Sequence, residues 1–160
     1  MSVKIPISFQ LARLEHTEIV VSLMRALEHD DPNKKPFDEQ SRRSSYARFL
    51  GEPRNGRLWL FETDSAFVGY MVLAFVFSFE YAGRNAFIDE LYVVPEHRGQ
   101  GVGWQALQFA EKTAREEEIG ALHLEVSRNN SLAHKLYRRA EFADHDRYLL
   151  TKWLDAKQLE

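Results

Sequence analysis

The chain has 160 residues, 44% of them hydrophobic and 12% aromatic, which is the size of one domain with apolar material enough for its core. Its 21 Lys and Arg stand against 24 Asp and Glu, a net charge of -3, so the excess of base that marks a nucleic-acid partner is missing. With no cysteine there is no disulfide framework, no thiolate zinc site and no cysteine nucleophile.

The start, MSVKIPISFQ, lacks the continuous apolar segment of a secretory leader. The longest apolar run, Ala66 to Phe77, contains Gly69 and falls short of the roughly 18–20 residues of a membrane helix. The expectation is a cytoplasmic chain with no membrane partner.

Alternation of Ile5, Ile7, Phe9 and Leu11 predicts a first strand. Helical spacing of Ile19, Leu23, Ala26 and Leu27 predicts a helix over 16–28, broken at Asp30-Asp31-Pro32-Asn33. A second helix is expected from Asp38, a capping residue, to Leu50, with Gly51 as its stop. Leu58 to Phe61, Phe67 to Phe79 and Ala86 to Val94 are aromatic and β-branched, and the short turns at Thr63-Asp64-Ser65 and Ala82-Gly83-Arg84-Asn85 make them an antiparallel meander. Pro95 ends the third of these strands.

From Gly101 to Ile119 the pattern is helical, with Ala106, Phe109, Ala110, Thr113 and Ala114 on one face and Gly120 as the stop. Ala121 to Val126 reads as a short strand, which completes one parallel crossover. A helix over Ser131 to Ala140 and a last strand over Arg147 to Leu154 follow. The fold class is α/β with a mixed sheet: one domain over residues 1–154 with a frayed tail, antiparallel strands first and one β-α-β crossover later.

Leu91-Tyr92-Val93-Val94-Pro95-Glu96-His97-Arg98-Gly99-Gln100-Gly101-Val102-Gly103 joins a strand to a helix. Alternate glycines let several N–H groups converge at a helix N-terminus, where an anion is favoured, and Arg98 adds a forked cationic donor. This is a seat for phosphate, with a solvated helix start as the plainer alternative. Gly101 to Ala106 also satisfies the dinucleotide pattern G-x-G-x-x-A, with Glu125 ending the next strand about twenty residues on. Against that reading, Pro95 to Arg98 intervene between strand and glycines, and a dinucleotide fold needs several crossovers. The nucleoside-triphosphate loop is excluded because the segment has no lysine.

The segment closely resembles the pyrophosphate-binding motif [QR]-x-x-G-x-[GA] of the GNAT superfamily of acyl-CoA-dependent N-acyltransferases, through Arg98-Gly99-Gln100-Gly101-Val102-Gly103. A second family pattern, N-x-x-A-x-x-x-Y-x-x-x-G-F, is met by Asn130, Ala133, Tyr137 and Phe142, with Glu141 in place of its glycine. The resemblance runs from about Leu58 to Leu154 and is weak over the first fifty residues. It implies acceptor-side helices over about 15–50 and an acetyl-CoA-binding core over about 86–140.

The resemblance implies that main-chain groups of Leu91, Tyr92 and Val93 hold the pantetheine and polarise the thioester carbonyl. The amides of Gly99, Gly101, Val102 and Gly103 would hold the pyrophosphate, with Arg98, Gln100, Trp104, Asn130 and Ala133 on the cofactor side. Tyr137 falls at the family's general acid; by pattern it also lies on an apolar helix face with Leu132, Ala133, Leu136 and Ala140, where a core tyrosine belongs. Asp89 and Glu90 precede the strand end, and alternation sends one to each face. In relatives a carboxylate here is the general base; Glu90 is favoured for its reach, and Asp89 stays open, as does a solvated acidic pair.

The histidines 16, 29, 97, 123, 134 and 145 show no i, i+4 metal spacing, so no metal is expected. Glu28, Asp30 and Asp31 follow the first helix, where they solvate a loop or attract a cationic amine. The implied activity is direct transfer of acetyl from acetyl-CoA to a primary amine of a small cationic molecule, without nucleic acid. The alternatives are a protein or peptide amine as acceptor, or a non-catalytic acyl-CoA sensor. Homodimers are common in the family, and the resemblance carries that expectation too.

Overall fold

Residues 5–30, 36–64 and 66–154 are described by a computed structural model. Five strands form one sheet in sequence order: β1 (Ser8–Leu11), β2 (Gly56–Glu62), β3 (Phe67–Ser78), β4 (Gly83–Val93) and β5 (Leu122–Leu124). The first three pairings are antiparallel and β4 with β5 is parallel, as the meander and the single crossover require. Helices α1 (Thr17–Asp30) and α2 (Glu39–Gly51) precede the meander; α3 (Val102–Glu116) and α4 (Ser131–Arg139) flank β5. The expected break at Asp31 to Asn33, the turn residue Ser65 and the tail from Asp155 lie outside the described residues.

Strand alternation divides the core between the two faces of the sheet. Leu58, Leu60, Tyr70 and Val72 pack with Val20 and Leu23 of α1 and Tyr46 of α2. Their neighbours Trp59, Phe61, Met71 and Leu73 pack with Val102, Ala106, Leu107, Ala110 and Ala114 of α3. Ile5, Ile7 and Phe9 join that second layer, although only Ser8–Leu11 is paired as strand.

One irregularity decides what β4 presents to each face. Val72 pairs with Glu90 and Leu73 with Ile88, so Asp89 is an extra, unpaired residue. Before this bulge Ala86 and Ile88 pack toward α3; after it Tyr92 packs toward α1 and α2, and Leu91 and Val93 lie against the α3 layer.

Both helices that follow β4 end in the same motif. Glu118 N–H bonds to Arg115 O and Ile119 N–H to Ala114 O; Glu141 N–H bonds to Arg138 O and Phe142 N–H to Tyr137 O. These are Schellman caps, and their left-handed positions are held by glutamates, Glu118 at φ 57° and Glu141 at φ 65°. The stop of α3 is therefore Glu118 and not Gly120, because the cap bonds close two residues earlier. Where the family pattern has glycine, Glu141 adopts glycine's conformation at a steric cost.

The expected last strand, Arg147 to Leu154, does not form: those residues are irregular, and Tyr148, Leu149, Leu150, Trp153 and Leu154 are exposed. Alternation supplies strand propensity, whereas a strand exists only through a pairing partner, and none of the five strands pairs with this segment. Arg147 instead forms an ion pair with Glu80, and Arg128 lies over the Tyr148 ring. A groove of about 1510 Å³ runs between α3, β5, α4 and this segment.

Replacing Glu118 or Glu141 by glycine is expected to stabilise the protein by about 0.5–1 kcal/mol each, read as a rise in Tm of roughly 1–4 °C. Gly69→Ala is expected to do the reverse, because its Cβ would overlap the Tyr92 carbonyl oxygen. A loss of about 1–3 kcal/mol follows from prying β3 off β4, and an unchanged Tm in Gly69→Ala would contradict that close approach.

Candidate functional site

β4 leaves β5 before it leaves β3. Its parallel pairing ends at Ile88 with Leu124, while its antiparallel pairing continues to Val93 with Gly69. The Tyr92 carbonyl lies against Gly69, and Val94 N–H bonds to Val68 O. By antiparallel alternation, Leu91 and Val93 therefore turn their main-chain groups toward the side where β5 has parted. Of the three residues expected to offer main-chain groups there, Tyr92 differs: its carbonyl belongs to the β3 side.

The loop from β4 to α3 makes a 3-10 turn at Pro95–His97 and passes through two left-handed glycines, Gly99 at φ 73° and Gly101 at φ 81°. Gly101 caps α3 without a side-chain hydrogen bond, and the first helical bond runs from Gln105 N–H to Gly101 O. The amides of Val102, Gly103 and Trp104 thus have no acceptor within the helix, which is the anion-binding arrangement of a helix start. Gly103 has a further constraint, since a Cβ there would press on Leu136 of α4.

Arg98 does not stand alone as a positive charge. Its Nε donates to Val93 O at 2.8 Å, its Nη2 to Asp30 at the end of α1, and its guanidinium lies 5.4 Å from the Tyr92 ring centre. The Asp30 carboxyl is in turn held below its ordinary value, chiefly by that hydrogen bond. Gln100 donates to Glu96 O, which closes the loop on itself. Arg98 thereby ties β4 and α1 to the glycine loop, an arrangement set by residues far apart in sequence.

On the α3 side, Asn130 caps α4 by accepting from Ala133 N–H at 3.1 Å, so these two expected residues are partners in one cap. Trp104 of α3 stacks beneath Arg139 of α4, 4.6 Å from guanidinium to ring centre. Tyr137 is half-buried against the α3 layer, with Phe142 edge-on at 6.1 Å, the apolar contact of the Schellman cap. Burial pushes its phenol above the usual 10, so the hydroxyl keeps its proton throughout the neutral range.

Asp89 and Glu90 are separated by the bulge. Asp89 is exposed, whereas Glu90 is directed to the α1 and α2 side and accepts from the Tyr70 hydroxyl at 2.7 Å. Arg42 of α2 lies 3.9 Å from the other Glu90 oxygen and also binds Glu28 of α1. Tyr70 and Arg42 carry no sequence signal: one sits in a run of core residues and the other on a polar helix. Glu28 belongs to the expected acidic cluster, Asp30 is taken by Arg98, and Asp31 lies outside the described residues. Among the described residues, no group of three or more His, Asp or Glu is placed to hold a metal, and no helix is long and apolar enough to cross a membrane.

Residues 20–142 match the family described as acetyltransferase (GNAT) family. The aminoalkylphosphonate N-acetyltransferase of Salmonella typhimurium is 31% identical over 128 residues, 80% of this chain and 79% of that protein. The thialysine N-epsilon-acetyltransferase of Sus scrofa is 34% identical over 74 residues, 46% of this chain and 43% of that enzyme, so the match spans less than half of its length. A solved integron cassette protein from the mobile metagenome of Cole Harbour Salt Marsh superposes with a TM-score of 0.80 at 30% identity, covering 92% of this chain and 90% of that one. The family match takes in both helices of the first face, the parted strands, the glycine loop and the cap of α4, and the chain belongs to the acetyltransferase (GNAT) family.

Proposed function

We propose that the protein transfers acetyl from acetyl-CoA directly to a primary amine of a small cationic molecule. The observation that carries this reading is the parting of β4 from β5 at the head of a glycine-capped helix. It leaves the main-chain N–H and C=O of Leu91 and the N–H of Val93 facing a gap whose far end is an anion-favouring helix start, the Val93 carbonyl being taken by Arg98. A pantetheine chain running into a pyrophosphate has the matching sequence of groups: amides first, then an anion. Acetyl-CoA supplies the activated acyl carbonyl; the amine nitrogen forms the C–N bond as the C–S bond breaks.

The chain's own groups then divide the proton work. Glu90, directly or through water, takes the proton that the acceptor ammonium must lose. A main-chain N–H at Leu91 or Val93 stabilises charge on the carbonyl oxygen. Tyr137 gives its proton to the departing sulfur, for which a phenol that stays protonated is suited, and regains one as the nitrogen loses its second proton on becoming an amide. Transfer is direct because no cysteine exists to carry the acyl group as an enzyme thioester.

Glu90 on the first helix face and the exposed Asp89 beside it in sequence support a cationic acceptor. Two relatives are named for small amines, thialysine and aminoalkylphosphonates, which supports the small-molecule class. The net charge of -3 argues against nucleic acid as partner, and we place the chain in the cytoplasm. The exposed apolar row from Tyr148 to Leu154 supports a homodimer.

Thermal melting with acetyl-CoA, CoA, NADH and ATP in parallel tests the nucleotide seat. Acetyl-CoA and CoA at about a hundred times their Kd are expected to add about 2.7 kcal/mol and raise Tm by several degrees. A rise with NADH alone would sink the proposal. Thiol release from acetyl-CoA with thialysine and 2-aminoethylphosphonate tests turnover. Tyr137→Phe is expected to lower kcat by about 10²-fold with CoA affinity nearly level. In the wild type, the limb that reports Tyr137 falls only as pH rises above 10, since the acid works protonated and burial raises its pKa. An active enzyme indifferent to Tyr137→Phe would refute the assignment of the acid.

A further inference from the structure

We infer that Tyr70 and Arg42 are positioning residues that hold the Glu90 carboxylate in place, with Glu28 fixing Arg42 in turn. This rests on the reading of Glu90 as the base. Four side chains from four elements form one connected line. Tyr70, fully buried in β3, donates its hydroxyl to one Glu90 oxygen at 2.7 Å. Arg42 of α2 approaches the other Glu90 oxygen at 3.9 Å with Nη1 and binds Glu28 of α1 with Nη2. Glu28 is itself nearly enclosed, its side chain 6% exposed, and its second oxygen is buried with no hydrogen-bond partner among the described residues.

Burial gives these contacts their force. A phenol with no access to water must place its hydroxyl on a partner, and the one it has is the Glu90 carboxylate. A hydroxyl donating to a carboxylate and a guanidinium beside it both favour the ionised form. Opposing them are the burial of the Glu90 side chain, 12% exposed, and Asp89, next in sequence, while Glu28 lies across Arg42. Further along the same face, Asp30 and Arg98 neutralise one another beside Tyr92. Tyr70 and Arg42 therefore act on the Glu90 carboxylate together, one by a hydrogen bond to one oxygen and the other as a positive charge beside the second.

The test reads Glu90 directly, without knowledge of the acceptor. Protein carrying carboxyl-labelled glutamate is titrated by carbon NMR, with Glu90→Gln assigning the resonance. The Glu90 midpoint is expected to rise by about one pH unit in Tyr70→Phe and in Arg42→Gln, and to return to within about half a unit in Arg42→Lys. With thialysine as acceptor, the acidic limb of kcat/KM should move by the same amount while KM for acetyl-CoA stays within about twofold. Tyr70→Phe keeps the ring that fills the core and decides the matter should Arg42→Gln fail to fold. A midpoint unmoved in Tyr70→Phe overturns the inference. If Glu90→Gln keeps full turnover and the same acidic limb, the base assignment fails by itself, and the titration still decides whether the two residues hold the carboxylate.

Discussion

Beyond Ile88, strand β4 has a neighbour on one side only among the described residues, and the site is organised around that fact. Main-chain N–H and C=O groups inside a protein need partners, and an unpaired strand edge keeps its demand until something meets it. Here the edge is fixed from behind. Gly69 brings β3 close enough to touch the Tyr92 carbonyl, and pairing to β3 persists as far as Val93. The loop then turns through Gly99 and Gly101 so that a helix start, with its own unpaired amides, opens into the same space. The result is a line of hydrogen-bonding groups held rigidly by a sheet on one side and a helix on the other.

The two faces of that line are not equally secured. On the first face Glu90 rises from the centre of the sheet, beneath two helices whose packing residues Val20, Leu23 and Tyr46 are buried. Ion pairs such as Arg43 with Glu18 and Glu39 lie at the surface, where they contribute little, so apolar contact carries the helix packing. On the second face Tyr137 belongs to α4, a helix with no fully buried residue. It is held by Leu136, Ala140 and Phe142 against the α3 layer and by a cap whose left-handed residue is a glutamate.

The meander and the crossover are legible in the sequence because alternation and helical spacing are local properties, and here local preference agrees with tertiary pairing. Glycines make the loop from Arg98 to Gly103 legible for the same reason. The rest depends on distant partners. Residues 147–154 carry a strand pattern and have no strand to meet. The end of α3 is misread at Gly120 because Glu118 takes a conformation that residue preference assigns to glycine. Arg98 reads as a free charge for a phosphate, yet Asp30, sixty-eight positions away, engages it. Tyr70 and Arg42 are invisible for the plainest reason: a tyrosine in an apolar strand and an arginine on a polar helix are ordinary until register brings Glu90 opposite them.

The extra residue at Asp89 works as a switch of parity. Upstream of it the even-numbered residues of β4, Ala86 and Ile88, belong to the layer of α3; downstream the even-numbered Glu90 and Tyr92 belong to the layer of α1 and α2. A strand in perfect register would put a carboxylate at position 90 into the apolar layer beside Met71 and Leu73, where an ionised group is costly. It would also aim the main-chain groups of Leu91 and Val93 into β3 instead of the gap. One inserted residue therefore sets two things at once, the face on which acid–base chemistry sits and the side from which a ligand backbone is met. Neither can be moved along this strand without moving the other.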